Sequence, residues 1–190
     1  MEEKRRIIEE YEISPYTMVV LPMQYGSKLY SEVIEVVDSF ISPFKPIEIV
    51  KKSCDYFGSS YEGRKNGTKR LIGVTHKAPI IVDPYTSIFL FPTTSPINPD
   101  CIWISHDQVA HFERSSTNTT IVTFRNKQTL EIPISRSSFQ NQLQRTAQLR
   151  MRLYQNMENM DNKYKKSGFY LQMEASERKR EYEMKRFNMD

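Results

Sequence analysis

A β-branched run from Thr17 to Leu21 stops at Pro22, and a second stretch rich in Val, Ile and Tyr extends from Ser27 to Val37. With Gly26 between them, they predict two strands joined by a turn. The period then changes. Pro46 suits the first position of a helix, and Ile47, Val50, Cys54 and Phe57 follow at helical spacing until Gly58 supplies a stop. This helix, near 46–57, buries Cys54 and turns Lys51, Lys52 and Asp55 to water. The segment from Gly58 to Gly67 is punctuated by glycine and reads as a loop with Arg64 and Lys65 near its tip. A strand from Thr68 to Thr75 is expected to leave it.

Short apolar runs follow at Ile80 to Val82, Ser87 to Phe91 and Cys101 to Ser105, bounded by Asp83-Pro84 and the proline-rich stretch Pro92 to Pro99. Val109 to Arg114, Thr119 to Phe124 and Thr129 to Ile134 alternate or are β-branched, and Asn126-Lys127 suits a hairpin turn between the last two. Ser137, with Gln140 three residues on, forms a capping-box pattern opening a long helix near 137–155. Phe139, Leu143, Ala147 and Tyr154 line one face of it; Asn141, Arg145, Gln148 and Arg152 line the other. Beyond residue 156 the chain is rich in Asn, Lys and Met, with Gly168 as a breaker. Glu174 to Phe187 can be helical, on a thin stripe of Tyr182, Met184 and Phe187. The pattern predicts an α+β fold, mostly antiparallel sheet of short strands. Residues 1–12 read as a flexible arm, 13–156 as one domain and 157–190 as a charged tail or helix.

Composition supports a packed core. The 190 residues hold 11 Tyr, 10 Phe and one Trp, enough large rings to exclude wholesale disorder. No apolar run approaches the roughly 18 residues of a membrane span. The N-terminus opens on charge rather than on a secretory leader. Two cysteines make no disulfide framework and suit a reduced, cytoplasmic protein. Net charge is +4, too little to name a partner, but its placement is uneven. Residues 51–80 hold seven basic and two acidic groups, 81–113 hold four acids and no Lys or Arg, and 114–152 hold seven basic groups and one acid. Two basic blocks around an acidic one suit a folded surface for a polyanion, or evenly solvated charge.

Catalytic and metal chemistry find little footing. Nucleotide loops, the GxSxG elbow and the HExxH pair are absent. Cys54, Cys101, His76, His106 and His111 lack the short spacings of a zinc site. Cys101 with His106 is a conceivable nucleophile and base, but Cys101 and Trp103 sit in an apolar run and read as core. No cofactor is expected.

At Phe57-Gly-Ser-Ser-Tyr-Glu-Gly-Arg-Lys-Asn-Gly-Thr68 the chain resembles the competence transcription factors, the ComK family. The resemblance continues through His76-Lys77-Ala-Pro-Ile-Ile-Val-Asp-Pro84, Ile88-Phe-Leu-Phe-Pro-Thr93, Cys101-Ile-Trp-Ile-Ser-His106, Leu130-Glu-Ile-Pro-Ile-Ser135 and Ser138-Phe-Gln-Asn-Gln-Leu-Gln-Arg-Thr-Ala147. It implies a cytoplasmic, nucleoid-associated activator of DNA-uptake genes that binds paired A/T-rich boxes of double-stranded DNA through the minor groove. It further implies self-association as a dimer or higher oligomer, work with RNA polymerase, and control by an adaptor that delivers the protein to a Clp protease. Gly168-Phe169-Tyr170-Leu171-Gln172 looks like the adaptor's recognition segment, with Phe169, Tyr170 and Leu171 as its contacts.

Physical chemistry assigns roles within that resemblance. A/T-rich minor grooves are narrow and strongly negative, so Arg and Lys are natural probes. Arg64 and Lys65, between glycines that allow close backbone approach, are expected in the groove. Lys69, Arg70, Lys51, Lys52 and Lys77 are expected on DNA, chiefly its phosphates. Arg145 and Arg152 can reach phosphate from the polar face of the long helix, although a solvated helix face is the commoner fate. A protein-interaction module without DNA binding is the alternative reading, with the charged tail and acidic middle as its surfaces.

Overall fold

The computed structural model describes residues 6–166 together with 176–177. Phe169, Tyr170 and Leu171, and the stripe of Tyr182, Met184 and Phe187, lie outside the described residues. Nine strands and three α-helices follow one another among those described. They are β1 (Thr17–Tyr25), β2 (Lys28–Glu35), β3 (Ser39–Ser42), α1 (Pro46–Tyr56), α2 (Tyr61–Ile72), β4 (Ile80–Asp83), β5 (Ile88–Pro92), β6 (Trp103–Ser105), β7 (Val109–Arg114), β8 (Thr120–Phe124), β9 (Thr129–Ile132) and α3 (Arg136–Lys166). All strand pairs are antiparallel, in a six-stranded sheet of order β3-β2-β1-β6-β5-β4 and a three-stranded sheet β7-β8-β9. The expected α+β class is the observed one.

Central strands are buried on both faces, and their two-residue period sorts the core into two clusters. Val20, Val33, Leu90 and Trp103 pack with Ile49, Val50 and Cys54 of α1 and Tyr61 of α2. Their neighbours Val19, Phe91, Ile102 and Ile104 point the other way, to Val122 and Phe124 of β8, Ile132 of β9 and Phe139 of α3. Within the acidic stretch without Lys or Arg, β4, β5 and β6 are buried throughout, whereas Asp100 and Glu113 are exposed and Asp107 is half-buried. Hairpin turns fall where expected, with Gly26 and Lys127 both in the left-handed region (φ 59° and 70°).

Several expectations are corrected. Within the expected loop from Gly58 to Gly67, Tyr61 onward is helix, and the expected strand from Thr68 to Thr75 does not form, because Tyr61–Ile72 is α2. Ser60 caps that helix, its hydroxyl accepting the Gly63 N–H at 3.0 Å. Gly73 ends it in the left-handed region with φ 73°. Between the caps the two internal glycines cost helix propensity, which Glu62, Arg64, Lys65, Lys69, Arg70 and Leu71 offset.

The cap of α3 is Ser135 rather than Ser137: the Ser138 N–H donates to the Ser135 hydroxyl and the Phe139 N–H to the Ser135 carbonyl. Its buried stripe is Phe139, Gln142, Thr146 and Leu149, while Ala147 is exposed. The helix also runs past the expected end, to Lys166. The chain divides into units of Met1–Arg150 and Met151–Asp190. Residues 6–12, expected within a flexible arm, lie along β3. The Ile8 N–H donates to the Ile41 carbonyl, the Ile41 N–H to the Arg6 carbonyl, and the Tyr11 ring sits 4.7 Å from Phe40.

Candidate nucleic-acid interface

On α1 the apolar stripe faces the sheet, so Lys51 and Lys52 are exposed as expected. Each rests on a ring. Lys51 Nζ lies 5.9 Å from the centroid of Tyr61, the first residue of α2, and Lys52 Nζ lies 3.3 Å from that of Phe44. Such contacts orient an ammonium without neutralising it.

The second helix carries the densest charge. Twelve residues at about 1.5 Å each make a rod of roughly 18 Å. Tyr61 and Thr68 face inward. The Thr68 hydroxyl donates to the Pro79 carbonyl at 2.7 Å, tying mid-helix to the lead-in of β4. Lys69 and Arg70 are exposed in the last turn, where cations also complement the helix dipole. They share a concave surface with Gly63, Asn66 and Gly67. Lys65 is half-exposed and 3.7 Å from the Glu62 carboxylate, a weak surface pair.

Arg64 departs from its expected place at a loop tip. Its guanidinium turns toward β4, with Nη2 3.4 Å from the Val82 carbonyl and Nε buried without a partner. Nearby, burial works to raise the Asp83 carboxyl. The Thr86 hydroxyl and N–H and the Tyr85 N–H, with the positive potential of Arg64, outweigh it and hold the group below the usual carboxylate range.

Beyond α2 the chain reaches Lys77, exposed and in the left-handed region at φ 49°. Its carbonyl accepts the side-chain amide of Gln142 on α3 at 3.0 Å. One turn on, Arg145 is exposed, with Nη1 3.5 Å from Gln142 Oε1. The two basic sequence blocks therefore meet at Gln142, through the Lys77 carbonyl and the Arg145 guanidinium. Arg152 is exposed in the second unit.

Nucleophilic chemistry is disfavoured by the same packing. Burial pushes the thiols of Cys54 and Cys101 up to about 11, so both stay protonated at neutral pH. Among the described residues no group of three or more His, Cys, Asp or Glu is placed to hold a metal, and no helix is long and apolar enough to cross a membrane.

The family model described as ComK protein matches residues 8–158 of the chain. The chain belongs to the ComK family. It is 48% identical over 143 residues to the competence transcription factor of Bacillus subtilis (strain 168), a match covering 75% of this chain and 74% of that protein. No solved structure matches. The ComK family is one of transcription factors rather than enzymes, which accords with the buried, protonated thiols.

Of the residues singled out in the sequence, Lys51, Lys52, Lys69, Arg70, Lys77 and Arg145 are exposed and Lys65 is half-exposed; Lys69 and Arg70 share one concave surface, Lys77 and Arg145 both meet Gln142, and Arg64 turns inward. The sequence carried no sign of Gln142, one amide in a polar Gln-Asn-Gln run. Nor did it reveal the Asp107 carboxylate, which pairs with Arg150 of α3 and lies 3.3 Å from His106 Nδ1. The N-terminal signature of α2 was present, in Ser60 followed by Glu62 in the first turn, with Gly73 as a stop.

Proposed function

We propose that this ComK-family chain activates genes for DNA uptake by binding paired A/T-rich boxes of double-stranded DNA through the minor groove. The observation that supports the reading is the exposure of cations on separate elements, Lys51 and Lys52 on α1, Lys69 and Arg70 beside the glycines of α2, Lys77 after it and Arg145 on α3. A narrow A/T groove concentrates negative potential and offers little donor–acceptor code, so it is read by width with Arg and Lys. Lys65, Lys69 and Arg70 are the groove-facing group. Gly63 and Gly67 leave room for a sugar–phosphate wall beside them. Lys51, Lys52, Lys77, Arg145 and Arg152 hold phosphates and position without specifying. Arg64 supports α2 from below. The activator acts in the cytoplasm on the nucleoid, self-associates across the paired boxes and works with RNA polymerase. Its level is set by a Clp adaptor reading Phe169, Tyr170 and Leu171.

The test is a mobility shift on an A/T-box and a G/C duplex at two salt concentrations. Tighter binding to the A/T box, with steep loss of affinity for both at higher salt, is expected. Absence of binding to either duplex would overturn the reading in favour of an interaction module. Substituting Lys69 and Arg70 by alanine should weaken A/T-box binding and narrow the preference, whereas Lys51→Ala should weaken both duplexes alike.

A further inference from the structure

Gln142 is a polar residue on the core-facing stripe of α3, 4% exposed. A buried amide costs free energy unless its hydrogen-bonding capacity is used. Here both of its donor bonds go to other elements, and its oxygen meets a neighbour on α3. Nε2 donates to the Lys77 carbonyl at 3.0 Å and to the Pro92 carbonyl at the end of β5 at 2.5 Å. Oε1 faces Arg145 Nη1 at 3.5 Å. The helix holds the amide in turn, since the Thr146 hydroxyl donates to the Gln142 carbonyl at 2.7 Å. The Pro92 bond alone would anchor α3 to the sheet. The other two reach outward to basic residues of different sequence blocks, one of them in a left-handed conformation that a lysine rarely adopts unaided.

We propose that Gln142 is a positioning residue for nucleic-acid binding: one buried amide sets Lys77 and Arg145 together as a two-point phosphate clamp. The inference rests on the DNA-binding reading and names the residue that joins the two basic blocks into one surface. Gln142 touches no DNA itself. Its loss is felt through Lys77 and Arg145, and equally on every duplex sequence, because phosphate contacts carry no base information.

A double-mutant cycle tests it with the full chain. Each phosphate contact contributes about 0.9 to the slope of log affinity against log salt concentration. Gln142→Met keeps the length and apolar fit but removes the amide. It should lower that slope by up to about 2, the value for two lost contacts, and leave the ratio of A/T-box to G/C affinity unchanged. In a Lys77→Ala, Arg145→Ala background the same substitution should change neither affinity nor slope. A wild-type slope in folded Gln142→Met, or an effect that adds fully to the double alanine variant, would overturn the proposal and leave DNA binding standing. Wild-type protein that binds no duplex would overturn both. Should Gln142→Met fail to fold, Lys77→Ala and Arg145→Ala are combined in the otherwise native chain. A shared clamp makes their losses non-additive, whereas Lys69→Ala adds independently; full additivity of the clamp pair overturns the proposal.

Discussion

Gly67 sits mid-helix in α2 with nothing within 4 Å of where a Cβ would lie, and its φ is not positive. The fold therefore has no use for the missing side chain, and Gly67→Ala should stabilise the protein by about 0.5–1 kcal/mol. If α2 admits a sugar–phosphate wall, the same variant loses duplex affinity while its thermal midpoint rises; equal affinity with a raised midpoint would remove Gly67 from the interface. His106 illustrates a different control. Burial holds its imidazole below the ordinary value against the opposing pull of Asp107, with Arg150 and Arg125 adding to the depression. The unfolded chain takes up the proton near pH 6.5 and the folded chain only below that. Stability from this group is thus complete above that pH and is lost as pH falls toward the depressed folded value. His106→Gln should flatten the fall in stability below about pH 7, as measured by urea unfolding at a series of pH values.

At the scale of elements, α1 was legible because its apolar stripe and Pro46 agree with each other. For α2, glycine punctuation outweighed the capping signals, and the deciding interactions are tertiary: Thr68 to Pro79, Arg64 to Val82, and Tyr61 edge-on to Trp103 at 6.3 Å. With two glycines inside, α2 depends on its cap, so Ser60→Ala should cost about 1 kcal/mol and weaken DNA binding through fraying of the basic turn. Arg64→Ala should lower the thermal midpoint and weaken all duplexes alike. Loss of A/T preference without loss of stability would instead return Arg64 to the groove. The packing of α1 and β6 makes a further prediction. Cys54 and Cys101, protonated and enclosed, should react with a thiol reagent at pH 8 orders of magnitude more slowly in folded than in denatured protein. Native-state reaction at the rate of a free thiol would show that one of them is open to solvent.

Across the whole molecule, net charge is a poor guide and its arrangement a good one. By itself the sequence determined the α+β class, most strand positions and the burial of Cys54, because each follows from a local period of two or 3.6 residues and from turn chemistry. It also determined the family, whose motifs lie in order along the chain. Tertiary structure alone decided that the glycine loop is a helix, that Arg64 turns inward, and that residues 6–12 dock on β3. It decided too that Gln142 and Thr146 share the buried face of α3 with Phe139 and Leu149. The physical reason is common to these cases. A polar side chain or a glycine reads as exposed until a carbonyl from a distant segment supplies its partner, and such partners lie far along the chain, 65 residues between Gln142 and Lys77 and 90 between Asn126 and Val36. Hydrophobic periodicity is written locally; the pairing of buried polar groups, which joins the two basic blocks, is not.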